Sequence, residues 1–282
     1  MREDLEQRLF KAWPDLYRLR KAKPSRMNSF DHGNGWYGIV DVLSAEITAL
    51  AHRRGLPVPA AFWSKEKFGG LRWSLAEAFG DDEADEELRG MINAAESTSA
   101  STCESTGAPG CLWNLSGCYN TASREWVEAW LEGRKREGHR FGKKQTLHFL
   151  MDEDKQRRNM FLLVPNDDGS VLADSWNGTA SGLLAEGGRA DVPRGVRDLA
   201  LVMLYLVKTP KWDAAKKEMV ETPSSVVSLN WNNDQGFLFS CVEDHPGPGV
   251  FENGILRICS AMAKQVDRET GAWSIPTAPS AA

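Results

Sequence analysis

Residues 60–75 read AAFWSKEKFGGLRWSL. Aromatic and β-favouring residues stand on both sides of Gly69-Gly70, so the stretch is expected to form two strands, or one strand bent at a glycine bulge. Upstream, Trp36, Val40, Leu43, Ile47 and Leu50 recur three or four apart, which predicts a helix over about 36–52 that Gly55 and Pro57 stop. Before it lies a basic, turn-rich segment, 21–34, and a short leading helix marked by Leu5, Leu9, Phe10 and Trp13 and broken at Pro14. Downstream, DDEADEE at 81–87 opens a helix that carries Leu88, Met91, Ile92 and Ala95 and ends near Ser99, its carboxylates close to the positive helix end. Residues 100–123, rich in Ser, Thr, Gly and Asn, read as an irregular knuckle, and Trp126, Val127, Trp130 and Leu131 mark one more amphipathic helix.

The expected architecture is α+β in two domains. The first, 1–132, is a helix-strand-helix unit, and a basic linker follows at 133–145 (GRKREGHRFGKK lies within it). The second, 146–270, holds two hairpins with packed helices. Its strands are expected at NMFLLVP and SVLADSW around Asn166-Asp167-Asp168-Gly169, and at SSVVSLNWN and GFLFSCVED around 232–236. Its helices are expected near 194–207, as a short polar helix at 212–220, and at 255–266. Residues 271–282, poor in large apolar groups, are expected to be a flexible tail. No internal repeat stands out.

Composition narrows the function classes. Of 282 residues, 26% are charged and the net charge is −5, values of an ordinary globular protein with no overall pull toward nucleic acid or membrane. The longest apolar run, Leu199–Val207, is far short of the roughly 18 residues a membrane span needs, and MREDLEQR has no apolar signal core. A cytoplasmic location with no membrane partner is therefore expected, and five cysteines without a secretory signal point to reduced thiols.

Three stretches, GWYGIVDVLSAEI at 35–47, SKEKFGGLRWSL at 64–75 and INAAESTSASTCESTGAPG at 92–110, resemble a family of small uncharacterised bacterial and phage proteins. Its members carry a GWxxhhxxh helix (h apolar), a VKEKFGGLRFY strand and a TCExCGxPG knuckle followed by LCxxC or LCxxH. The resemblance covers about 30–127, and KEKFGGLR is its most specific part. In the family pattern the knuckle is zinc-like. Here Cys103 stands at the first ligand position, but Thr106 and Ser123 stand where further cysteines belong, and Cys111 and Cys118 do not restore the spacing, so the zinc knuckle is degenerate. The expectation is no metal and no cofactor. The resemblance carries no activity. It implies a non-enzymatic accessory protein of a phage or other mobile element that binds a bacterial protein, as an inhibitor of a host defence system.

The candidate binding residues are Lys65, Lys67 and Arg72, which with Glu66 flank two glycines, and Asp31, His32 and Trp36 at the loop entering the 36–52 helix. The glycines admit an anion or a partner's backbone, and free N–H groups at a helix start suit an anion. Against this, alternating side chains on a strand normally pack inward, and DHGNG is also an ordinary cap. Eleven tryptophans, several in polar company, favour a protein interface. Two other classes compete. The basic stretch 134–144, with Lys155, Arg157, Arg158 and Phe141, suits a nucleic-acid-binding regulator, and Asp31 with His32 suits an enzyme of unrecognised type. No catalytic residue is assigned, since no GxSxG, Walker or HExxH motif occurs.

Overall fold

The computed structural model describes residues 1–19, 30–115, 118–137 and 248–277. Between 163 and 241 it describes 163–165, 171–173, 194–196, 199–200, 202–203, 206, 211–213, 218–220, 226–232 and 236–241. Helix α1 is Glu3–Ala12, with Leu5 and Leu9 buried and Glu3, Asp4 and Glu6 at its positive end. After β1 (Phe30–Asp31), a 3-10 turn at Asn34–Trp36 feeds α2 (Tyr37–Arg54), closed by Gly55 at φ 65°. β2 (Ala61–Lys67) and β3 (Gly70–Leu75) form an antiparallel hairpin, and β1 adds in parallel to β2. Helix α3 (Asp82–Ser99) is capped by the Asp81 side chain, which accepts the Ala84 N–H at 2.8 Å.

The knuckle region is more regular than its composition suggests. β4 (Cys111–Leu115) and β5 (Cys118–Ala122) pair antiparallel, with Cys111, Trp113 and Leu115 buried in strand alternation. Abundant small polar residues hid that period of two. Helix α4 (Arg124–Arg136) follows and includes the first residues expected to be linker; 138–145 lie outside the described residues. Further hairpins are β6–β7 (Leu163–Pro165 with Val171–Ala173), β8–β9 (Lys211–Asp213 with Glu218–Val220) and β10–β11 (Val226–Asn232 with Gly236–Cys241). The second of these replaces the polar helix expected at 212–220. Helix α5 is Val250–Met262. The class is α+β, and among the described residues no helix is long and apolar enough to cross a membrane.

One hydrophobic core runs from Leu5 through Leu43, Leu71 and Met91 to Val202, Ile258 and Trp273, so it crosses the boundary expected at 133–145. Residues 271–277 are likewise not loose. Trp273 is buried against Gly38 and its N–H donates to Gly107 O at 2.8 Å, while Arg2 and Arg8 donate to the carbonyls of Pro276 and Thr277. A single large indole outweighs the Pro, Ser and Thr around it.

The chain contains a repeat that its sequence barely shows. In the first half the 3-10 turn Asn34–Trp36 places Gly35 against Cys103 O and Gly107 N, and Gly35 N–H donates to Glu104 O at 2.6 Å. In the second half the 3-10 turn Arg194–Val196 places Gly195 against Asp267 O and Gly271 N, and Gly195 N–H donates to Arg268 O at 2.7 Å. Gly107 and Gly271 have φ of 73° and 74°, and each donates its N–H to the carbonyl four residues earlier, Cys103 and Asp267. Among the described residues each half runs 3-10 turn, helical residues, hairpin, helix, knuckle, the second half holding β8–β9 in addition. Gly90 precedes Gly107 by the interval at which Gly254 precedes Gly271.

The two halves meet reciprocally, as the halves of a two-fold dimer do. Gly90 of α3 lies against Phe251 O of α5, and Gly254 of α5 lies against Glu87 O of α3. Gly107 packs on Trp273, and Gly271 on Pro109. In each case the second contact is the first with the halves exchanged.

At Gly90 and Gly254 a side chain would overlap the partner helix's backbone. Gly90→Val and Gly254→Val should each therefore cost at least about 3 kcal/mol in urea unfolding. Gly133→Ala, in α4 with open space where its Cβ would stand, should instead gain roughly 0.5–1 kcal/mol.

Candidate functional site

The register of β2–β3 sorts the predicted residues. Ser64 pairs with Trp73 and Glu66 with Leu71; Ser64, Leu71 and Trp73 are buried. The intervening residues, Trp63, Lys65, Lys67 and Arg72, share the outer face, where Lys65 stands directly opposite Arg72. Lys65 Nζ lies 4.5 Å over the Trp63 ring and Lys67 Nζ 5.4 Å from that of Phe68. Arg72 donates to Leu71 O and lies 3.6 Å from Glu96 Oε2, whereas neither Lys65 nor Lys67 forms an ion pair with a described carboxylate.

The turn is Lys67-Phe68-Gly69-Gly70, with φ of 55° at Phe68 and 79° at Gly69, both in the left-handed region of a type I′ turn. Glu66 Oε1 accepts the Gly69 N–H at 2.5 Å, and Thr121 Oγ1 of β5 donates to Gly69 O. A Cβ on Gly69 would overlap the Leu112 side chain of β4. Gly70 is under no comparable constraint. Phe68 is held in a conformation costly for a side chain, and it is 70% exposed.

The other edge of the hairpin is closed by α3. Leu71 N–H donates to Ser99 Oγ at 2.8 Å and Trp73 N–H to Glu96 Oε1 at 3.0 Å, so helix side chains cover a strand edge otherwise open to pairing. Burial, more than any neighbour, raises the Glu96 carboxyl above its ordinary pKa.

The entry loop departs from expectation. Asp31 is exposed and paired with Lys65 in the β1–β2 register, but His32 and Trp36 are inside. His32 Nδ1 faces Gly33 O at 3.0 Å and must carry the proton, so Nε2 accepts from Ser64 Oγ, also at 3.0 Å. Trp36 donates from Nε1 to Thr102 O at 2.8 Å and has no exposed surface. The backbone N–H groups expected to hold an anion are taken. Gly33 N–H donates to the Glu104 carboxylate at 2.8 Å, and Gly35 N–H to its carbonyl. Burial first, with Glu66 and Asp31 adding, pushes the Glu104 carboxyl up.

At the knuckle, Cys103 and Cys111 are buried and Cys118 exposed, and Thr106 is exposed. Ser123 caps α4, its Oγ accepting the Trp126 N–H at 3.3 Å. Among the described residues no three His, Cys, Asp or Glu side chains converge as metal ligands.

The sequence reading missed a cleft of about 430 Å³ between α2 and α5, lined by Glu46, Arg53, Phe237, Arg257, Ser260 and Lys264. Beneath it Glu87, 5% exposed, accepts from Arg53 Nη2 at 3.1 Å and Arg257 Nε at 3.2 Å. Its only sequence signal is the spacing of Arg257 and Ser260 on α5 and Lys264 just after it.

Gly69→Val should unfold the hairpin–knuckle contact at a cost of about 3 kcal/mol or more, and Gly70→Ala less than about 1 kcal/mol, both read from urea midpoints. Glu96→Ala should cost about 1–3 kcal/mol by orphaning the buried Trp73 N–H. Glu96→Gln keeps that acceptor and removes a desolvated charge. A carboxyl whose folded pKa is raised adds stability below its unfolded pKa and loses it as pH rises through the folded one. Glu96→Gln should therefore match or exceed the native melting temperature at pH 7, and its advantage should close as pH falls toward about 4.

No family model matches the chain, and no curated protein or solved structure matches it significantly.

Proposed function

We propose that the protein is a non-enzymatic binding protein, an accessory factor of a phage or mobile element that docks on an acidic surface of a bacterial protein through the outer face of β2–β3. One observation carries this reading. Lys65 and Arg72 are held directly opposite one another beside Trp63 and Lys67, below an exposed Phe68 fixed at positive φ. Opposed like charges and a left-handed aromatic both cost stability, and an acidic partner with a small apolar recess would offset both costs. The resemblance of KEKFGGLR to phage and bacterial proteins supports the setting.

The rivals have less support. Of the basic stretch, the described Arg134 and Lys135 are paired with Glu137 and Glu132, which weakens their attraction for phosphate. His32 is enclosed with both ring nitrogens engaged, a poor position for acid–base chemistry on a substrate.

The test is capture from bacterial lysate on the immobilised chain, with mass-spectrometric identification. Phe68→Asn creates an Asn-Gly pair suited to a type I′ turn, so it should raise the melting temperature while capture falls. Lys65→Glu with Lys67→Glu should abolish capture while the melting temperature holds or rises, since the change removes the like-charge opposition to Arg72. Capture that survives both changes, or that is nucleic acid lost steeply with salt, defeats the reading.

A further inference from the structure

We infer that the cleft between α2 and α5 binds a small organic phosphate. The argument rests on the two copies of the repeat and not on the hairpin surface. Aligned through Gly90 and Gly254, α3 and α5 make the same kind of bond to the edge of their hairpins. In the first copy Ser99 accepts the Leu71 N–H and Glu96 the Trp73 N–H; in the second, Ser260, at the helix position of Glu96, accepts at 3.1 Å the N–H of Phe237, the counterpart of Leu71. Ser260 occupies less space than the glutamate at the corresponding position of the first copy, and the cleft of about 430 Å³ lies beside it.

Charge differs between the copies at neighbouring positions as well. Asn93 and Ala100 of the first copy correspond to Arg257 and Lys264 of the second. Asn253 of the lining corresponds to Arg89, so one negative and one positive charge are lost and two positive charges gained within this lining, and Arg53 of α2 completes a set of three cations.

The cations are also positioned. Glu87 holds Arg53 and Arg257 from beneath, and its bond to Arg257 is made through Nε, leaving the terminal guanidinium nitrogens to other partners. Arginine paired with lysine suits a phosphate dianion, whose charge and acceptor number exceed those of one carboxylate. Ala49, Leu256 and Ala261 give the cleft an apolar side, which favours an esterified phosphate over the bare ion. Glu46, whose carboxyl burial pushes up, stands on the same wall and suits a donor group on the ligand.

The experiment is calorimetric titration of the full chain with phenyl phosphate, with inorganic phosphate alongside. Phenyl phosphate should bind with one-to-one stoichiometry, and more tightly than inorganic phosphate. Ser260→Glu restores the first copy's residue; it should fold, since the same helix position accommodates Glu96 in the first copy, and weaken binding about tenfold or more by filling the cleft with a repelling charge. Lys264→Glu, at an exposed position, should do the same and reads the proposal should Ser260→Glu not fold. Absence of phenyl phosphate binding at millimolar concentration overturns the inference. So does equal binding of both phosphates, or binding unchanged in Lys264→Glu.

Discussion

Backbone-to-backbone approach of two helices at Gly90 and Gly254 is the constraint on which the remaining structure depends. Each glycine meets a carbonyl of the opposite helix, so α3 and α5 lie closer than side chains would permit. That proximity brings the knuckles at their ends together, and Trp273 then lies against both Gly107 and Gly38. It also encloses Glu87 between arginines of α2 and α5. A buried carboxylate is tolerated only when its partners are well placed, and here they come from both halves of the chain. Separating the helices would leave that charge uncompensated, so apolar packing and the ion cluster favour the same pairing.

KEKFGGLR can be divided by physical role. Glu66 ties the turn, Gly69 permits its conformation and the approach of Leu112, and Leu71 enters the core while its N–H binds Ser99. Lys65, Lys67 and Arg72 do none of this. A resemblance resting on the whole motif is therefore partly one of fold, and only the charges bear on a partner. The like-charged Lys65–Arg72 pair is the part of the motif that stability alone does not explain.

Much of the helical framework was legible because periodic apolar residues and flanking breakers agree, as in 36–52 and 81–99. The hairpin at 60–75 was legible in outline, but which glycine mattered was not, since a positive φ and a neighbouring leucine from β4 are tertiary facts. The entry loop misled for a similar reason. His32 and Trp36 look available in a polar, glycine-rich run, yet those glycines serve to let the Cys103–Gly107 turn close over them. The repeat escaped because what it preserves is backbone geometry. Only Thr-Gly-Ala at 106–108 and 270–272, and Gly-x-x-aromatic-Ser at 70–74 and 236–240, remain as common text.

Duplication gives a reason for the unequal chemistry of the two halves. In the β10–β11 register Asn230 pairs with Leu238 and Asn232 with Gly236, where the first hairpin has Lys65 with Arg72 and Lys67 with Gly70. The second hairpin thus lacks the cations of the first, while Arg257 and Lys264 stand where the first copy has Asn93 and Ala100. Since paired copies share one core, neither can change the face that meets the other without loss of both. Their solvent faces are under no such restraint. Substitutions compatible with the common backbone accumulate there independently, so one copy can carry a cationic hairpin and the other a cationic cleft within a single cooperative fold.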